Sequence, residues 1–146
     1  MKPTGTQVAQ AAALAVGVGY TYDEMDCQAF IEHCARQAGG RMDYLGTNDM
    51  ARRAAWLGTL SQARAEGRLT PGAGLLIREE TDANLPARYA GDGLGDFSHV
   101  GLYVGDGQVM ECASGRVRTA PLELWASAYG VMSEPRWGWL GAIALG

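Results

Sequence analysis

Basic charge is scarce in this chain: twelve Lys and Arg stand against sixteen Asp and Glu, for a formal net charge of -4. The pI lies near 5.1, and no basic cluster offers a complementary face to a nucleic-acid backbone or an anionic membrane surface. Long apolar runs are missing as well. The nearest approach is the alanine-rich stretch from Val8 to Val18, too short to span a bilayer. A single Lys precedes it, and a secretory cleavage would fall close to Tyr20 and Tyr22, removing the helix that should support the next segment. We therefore read it as a domain helix, with cytoplasmic synthesis and no signal peptide. Cysteine is sparse and odd in number. Cys27, Cys34 and Cys112 cannot all pair within one chain, which argues against a disulfide framework and for free thiols. Among Cys27, His33, Cys34, His99 and Cys112 no pair has the spacing of a structural zinc site, so no metal or other cofactor is expected.

What is present suffices for one core. With 146 residues, 47% hydrophobic and 19% charged, the chain is long enough for a compact interior and too short for two ordinary domains, so 1–146 is expected to form one domain. Repeats and low-complexity segments are absent.

The residues that carry chemistry lie in two places. Cys27, Phe30, Ile31, Cys34, Ala35 and Ala38 follow the apolar stripe of an amphipathic helix, which Gly39-Gly40 stops. Asp26 stands at the N-cap position, so Cys27 falls in the first turn, beside unpaired backbone N–H groups and the positive end of the helix dipole. That location favours a thiolate. Cys34, in mid-helix, reads as core, and His33, off the stripe, as a surface residue.

The second place is Ser98-His99-Val100-Gly101-Leu102-Tyr103-Val104, an alternating strand, followed by Gly105-Asp106-Gly107 and a return strand carrying Glu111. A two-residue Asp106-Gly107 turn would set Leu102 opposite Glu111 and send the carboxylate to the far face from His99. A three-residue loop, Gly105 to Gly107, would set Gly101 opposite Glu111 and leave His99 diagonally beside it on one face. In that register Glu111 fixes the imidazole tautomer, completing a Cys27, His99, Glu111 set suited to acyl transfer. The Cys27 backbone N–H with the hydroxyl of Tyr22, or of Tyr20 if the turn is shifted, is the candidate oxyanion hole. Asp26 and Ser98 flank the nucleophile and the base as candidate substrate contacts.

The remaining elements follow from pattern. A helix is expected from about Thr6, and a third, capped by Thr47 or Asn48, is expected to run through Trp56. A strand Gly74 to Ile77 follows Pro71-Gly72, then a Gly- and Asp-rich loop from Thr81 to Asp96, a Pro-started helix from Pro121 to Ala128, and a last strand from Trp137 to Ala144. Helices first and a mostly antiparallel sheet after them is an α+β pattern.

Asp26-Cys27-x-x-Phe30 and His99-Val100-Gly101-x-Tyr103-x-Gly105-x-Gly107, in this order, resemble the NlpC/P60 family of papain-like cysteine peptidases. A Tyr shortly before the Cys, the Pro71-Gly72 turn and the segment Tyr89 to Gly95 are similar to its compact prophage-type branch, and the likeness extends from about Thr6 to Leu122. The resemblance implies metal-free hydrolysis of amide bonds in peptidoglycan stem peptides, often between D-γ-glutamyl and a diamino acid. It also implies action on the bacterial cell wall, in some cases beside a separate wall-binding or phage-tail protein. Two departures stand out: Glu111 occupies the position that is commonly His in the family, and Gln28-Ala29 replaces a frequent Ser-Gly. Rival readings are another thiol amidase or acyltransferase on a related fold, and a catalytically silent wall or tail module.

The two helix cysteines should separate in experiment. Cys27→Ala is expected to abolish hydrolysis with the fold intact, whereas Cys34→Ala lowers stability by up to about 3 kcal/mol and spares the chemistry. Iodoacetamide should label Cys27 first in the native protein; equal labelling of both thiols would count against this assignment.

Overall fold

The computed structural model describes residues 3–14, 27–40, 46–113, 116–129 and 136–140. The first helix, α1 (Gly5–Ala13), starts earlier than Thr6 because Thr4 caps it: Gln7 N–H donates to Thr4 Oγ1 at 3.2 Å, and Gln7 Oε1 accepts from Thr4 N–H at 2.9 Å. The next, α2 (Cys27–Gln37), carries the expected stripe, with Phe30, Ile31, Cys34 and Ala35 buried. It ends as Gly39-Gly40 foretold. Gly39 takes φ 91°, and Gly40 N–H reaches back to Ala35 O at 2.8 Å, closing the helix with a left-handed cap.

The third helix, α3 (Thr47–Arg52), is short, with Gly46 as its N-cap, and does not run through Trp56. Trp56 belongs instead to β1 (Ala54–Thr59), whose antiparallel pairing with β6 (Arg136–Leu140) overrides the local helical pattern. A Thr59/Gln62 capping box then starts a short α4 (Leu60–Ala65). β2 (Gly74–Arg78), the hairpin β3 (Phe97–Gly105) and β4 (Gln108–Ala113), and a further strand, β5 (Arg116–Pro121), complete the sheet. Pro121 closes β5 and does not open α5 (Leu122–Tyr129). The last expected strand is described only to Leu140; the remainder of that expectation lies outside the described residues.

All pairings in the sheet are antiparallel, in the order β1-β6-β2-β3-β4-β5. On one face α1 and α2 pack with Leu76, Val100, Leu102 and Met110 around Phe30 and Ile31. On the other, Leu75, Ile77 and Val109 meet Leu122 and Trp125 of α5. Leu75, Leu76 and Ile77 are consecutive and all buried because β2 is covered on both sides, which is why this strand reads as an unbroken apolar run. Among the described residues no helix is long and apolar enough to cross a membrane.

The 79–96 loop, irregular apart from a 3-10 turn at Ala87–Tyr89, is latched to α3. Arg52 donates to both Asp92 oxygens at 2.7 and 3.1 Å and to Gly95 O at 2.9 Å, while its guanidinium stacks 4.4 Å from the Tyr89 ring centre. Asn48 holds the end of the loop, donating to Asp96 Oδ1 and accepting from Phe97 N–H, each at 2.8 Å. The chain thereby enters β3 at a fixed point.

The hairpin resolves the register in a way neither sequence alternative described. Asp106 and Gly107 form a two-residue turn, both with positive φ (53° and 71°), as a type I′ turn requires. Gly105 pairs with Gln108, but Tyr103 pairs with Val109, so Val104 is an extra residue bulged out of β3. The bulge shifts the register by one residue. Leu102 then faces Met110 instead of Glu111, which sets Gly101 opposite Glu111. A three-residue loop was expected to place the carboxylate on the His99 face; a tight turn and a bulge do it here.

Gly101 is needed at its position. A Cβ there would stand 2.9 Å from Val109 Cγ1 and 3.2 Å from Trp125 Cζ2, so the indole of α5 can lie over β3 only because that residue has no side chain. Gly101→Ala is expected to destabilise the protein by about 1–3 kcal/mol through overpacking, read as a lower denaturation midpoint at unchanged slope in urea.

Candidate active site

Three elements converge on His99. It projects from β3 on the face that carries α5, where Ile77 of β2 is its direct neighbour. Cys27, the first residue of α2, is half-buried and hydrogen-bonded to the His99 side chain. Glu111 of β4 also reaches the ring, with its Oε1 at 2.6 Å from His99 Nε2. A stripe of apolar helix and a bulged hairpin thus place thiol, imidazole and carboxylate in series.

Glu111 is 1% exposed, and a carboxylate at that depth needs donors. It has three. Besides His99, Trp125 Nε1–H of α5 donates to the same Oε1 at 2.9 Å, and Arg118 Nε–H of β5 donates to Oε2 at 2.8 Å. Burial alone would raise the Glu111 pKa, but the hydrogen bonds from His99, Trp125 and Arg118 outweigh it and bring the group down to about 2. His99 moves the other way. Burial would lower its pKa, yet the hydrogen bonds to Cys27 and Glu111, and the negative charges these two can carry, raise it to about 9. With Glu111 anionic, Oε1 accepts from His99 Nε2–H, leaving Nδ1 to serve the thiol.

Cys34 is fully buried, and burial pushes its thiol up to about 12; it is a core residue with no nucleophilic prospects. Cys112 is buried as well, and none of the three cysteines is joined in a disulfide. His33 is half-buried on α2. Ser98 is exposed beside His99, at the point where the β2–β3 pairing slips by one residue. Tyr20, Tyr22 and Asp26, expected to supply the oxyanion hole and the cap, lie outside the described residues. Among the described residues no group of three or more His, Cys, Asp or Glu is arranged to hold a metal ion.

Sequence reasoning missed Arg118 and Trp125. The signal for Arg118 was present: a Ser-Gly pair at 114–115 separates two short alternating runs, and the two-residue turn it suggests pairs Glu111 with Arg118. Trp125 could not be found this way, because its contact with Glu111 depends on how α5 folds back over the sheet.

The pKa shifts fix how stability depends on pH. His99, raised from 6.5 to about 9, contributes stability that is complete below 6.5 and lost as pH rises through 9. Glu111, lowered from 4.5 to about 2, contributes stability that is complete above 4.5 and lost as pH falls through 2. The melting temperature should therefore be highest between pH 4.5 and 6.5 and decline on both sides, and Glu111→Gln should flatten the profile. A wild-type-shaped profile in Glu111→Gln would contradict the pairing.

No protein-family profile matches the chain, and no curated protein matches its sequence. Solved structures do match. The NlpC/p60 domain of the peptidoglycan hydrolase SagA superposes with a TM-score of 0.60 at 17% identity, over 97% of this chain and 99% of its own. The peptidoglycan hydrolase RipB from Mycobacterium tuberculosis gives 0.60 at 18% identity, over 97% of this chain and 65% of its own. NlpC2 from Trichomonas vaginalis gives 0.58 at 19% identity over 82% of this chain, which spans only 41% of that protein's length. Likeness at such identities carries architecture, and the architecture agrees with the α+β layout built above: the chain has the NlpC/P60 fold.

Proposed function

We propose that this protein is a cysteine peptidase of the NlpC/P60 family that hydrolyses amide bonds in peptidoglycan stem peptides, with Cys27 as nucleophile, His99 as general base and acid, and Glu111 as the group that orients His99. The observation that carries this reading is the series Cys27, His99, Glu111, joined by hydrogen bonds within an NlpC/P60 fold. Two solved structures of that fold are themselves described as peptidoglycan hydrolases.

The proposed steps run through these three groups. His99 Nδ1 takes the Cys27 proton as sulfur attacks the amide carbon, and Glu111 offsets the imidazolium charge that results. The oxyanion forms beside the first turn of α2, where the helix dipole is positive; the Cys27 backbone N–H is the proposed first donor and a Tyr22 or Tyr20 hydroxyl the second. Collapse of the tetrahedral adduct expels the amine, which leaves with the proton from His99. Water, deprotonated by the same ring, then hydrolyses the thioester and frees Cys27.

The proposed scissile bond is D-γ-glutamyl-diamino acid, and the site of action is the bacterial cell wall, with a separate wall-binding or tail protein as a proposed partner. Digestion of purified sacculi should release peptide fragments, identified by mass spectrometry, and leave glycan strands uncut. The appearance of new reducing sugar ends, or of no fragments at all, would overturn the proposal.

A further inference from the structure

The carboxylate of Glu111 is held from three sides by three different elements. His99 comes from β3, Trp125 from α5 and Arg118 from β5, at 2.6, 2.9 and 2.8 Å. Each donor has a distinct consequence. The indole N–H can only donate, so at Oε1 it occupies one lone pair and limits the directions from which His99 Nε2–H can approach. The guanidinium occupies Oε2, the oxygen that His99 does not use, and brings a permanent positive charge to it. Arg118 is about half-exposed while Glu111 is buried, so an otherwise surface cation is turned inward to meet the carboxylate through Nε.

We propose that Arg118 and Trp125 are positioning residues of the active site: acting through Glu111, they keep the carboxylate ionised and aimed, so that His99 holds Nδ1 toward Cys27, where it can exchange a proton with the thiol. This assignment rests on the peptidase reading for its consequence in turnover, but the coupling it describes belongs to the site whatever the substrate. Among the described residues, the titratable and charged groups facing the Glu111–His99 pair include Cys27 from α2, the two partners themselves from β3 and β4, and Arg118 from β5. Without Arg118, Oε2 of Glu111 loses its charged donor, and the carboxylate is no longer fixed in its aim at His99 Nε2–H. A carboxylate that is less well held supports the imidazolium less, and the thiolate of Cys27 gains a weaker counter-ion. The acid limb of thiol reactivity should therefore move upward.

The test is the rate of Cys27 alkylation by iodoacetamide between about pH 4 and about pH 10, quantified by peptide mass spectrometry in the full chain. Arg118→Met should move the acid limb up by about one pH unit, the size expected for one charge-assisted hydrogen bond, and Arg118→Lys should return it most of the way. Trp125→Phe, which keeps most of the ring packing and loses the N–H, should move the limb in the same direction by less and lower kcat on sacculi with KM little changed. A purely structural role would lower the melting temperature of these variants and leave the limb in place. Wild-type acid limbs in folded Arg118→Met and Trp125→Phe, or an Arg118→Lys limb identical to that of Arg118→Met, would overturn the proposal. Because alkylation needs no substrate, a protein that leaves sacculi intact but shows the shifted limbs loses its assigned substrate and keeps this relay, whereas cleavage of sacculi with unmoved limbs removes the relay alone.

Discussion

Burying a carboxylate in the middle of a sheet costs several kcal/mol unless donors converge on it, and breaking up such a cluster by removing a partner costs about 3–5 kcal/mol. Glu111 is in that position, and much of the surrounding geometry can be understood from its needs. Its neighbours across β3 and β5 are fixed by the requirement that His99 and Arg118 reach it, so a one-residue slip of either pairing would turn the carboxylate to the wrong face and strand it. The bulge at Val104 is what reconciles a tight I′ turn with that register. Gly101 leaves the gap through which Trp125 arrives, and with Trp125 comes the docking of α5.

The thiol reaches the same centre from the opposite layer. Packing of α2 on the far side of the sheet brings its first residue to His99, while the cap at Gly39-Gly40 and the close approach of Gly40 to Pro3 tie the other end of the helix to the start of α1. A second set of polar contacts, Asn48 and Arg52 on Asp92, Gly95, Asp96 and Phe97, secures the long loop just before His99. The loop is therefore a supported approach to β3, and its Gly-rich sequence gives the backbone the turns that these anchor points demand.

Electrostatically the site alternates in sign. Arg118 is positive, Glu111 negative, His99 basic, and Cys27 the group that gains from a charged His99. A neutral third residue could orient the imidazole without adding charge. A carboxylate does both, and a lone buried carboxylate would bind a proton too readily to stay charged; the guanidinium and the indole counter that tendency. Glu111 and His99 thus hold opposite charges across the range between their two pKa values.

Much of this was legible in the chain itself. The helix stripe from Cys27, its glycine stop, the strand at Gly74 to Ile77 and the His99 strand all follow from periodicity and turn residues, because those signals depend only on near neighbours. Cys34 was separable from Cys27 for the same reason, since distance from a helix end is a local property. The tertiary structure decided what pairs at long range. It drew Trp56 into a strand against β6, inserted the bulge that sets Glu111 beside His99, and folded α5 over Gly101 so that Trp125 meets the carboxylate. Sequence spacing fixes the face on which a side chain stands along its own element; which elements face each other, and with what slip, is settled only when the whole sheet and its two cores pack together.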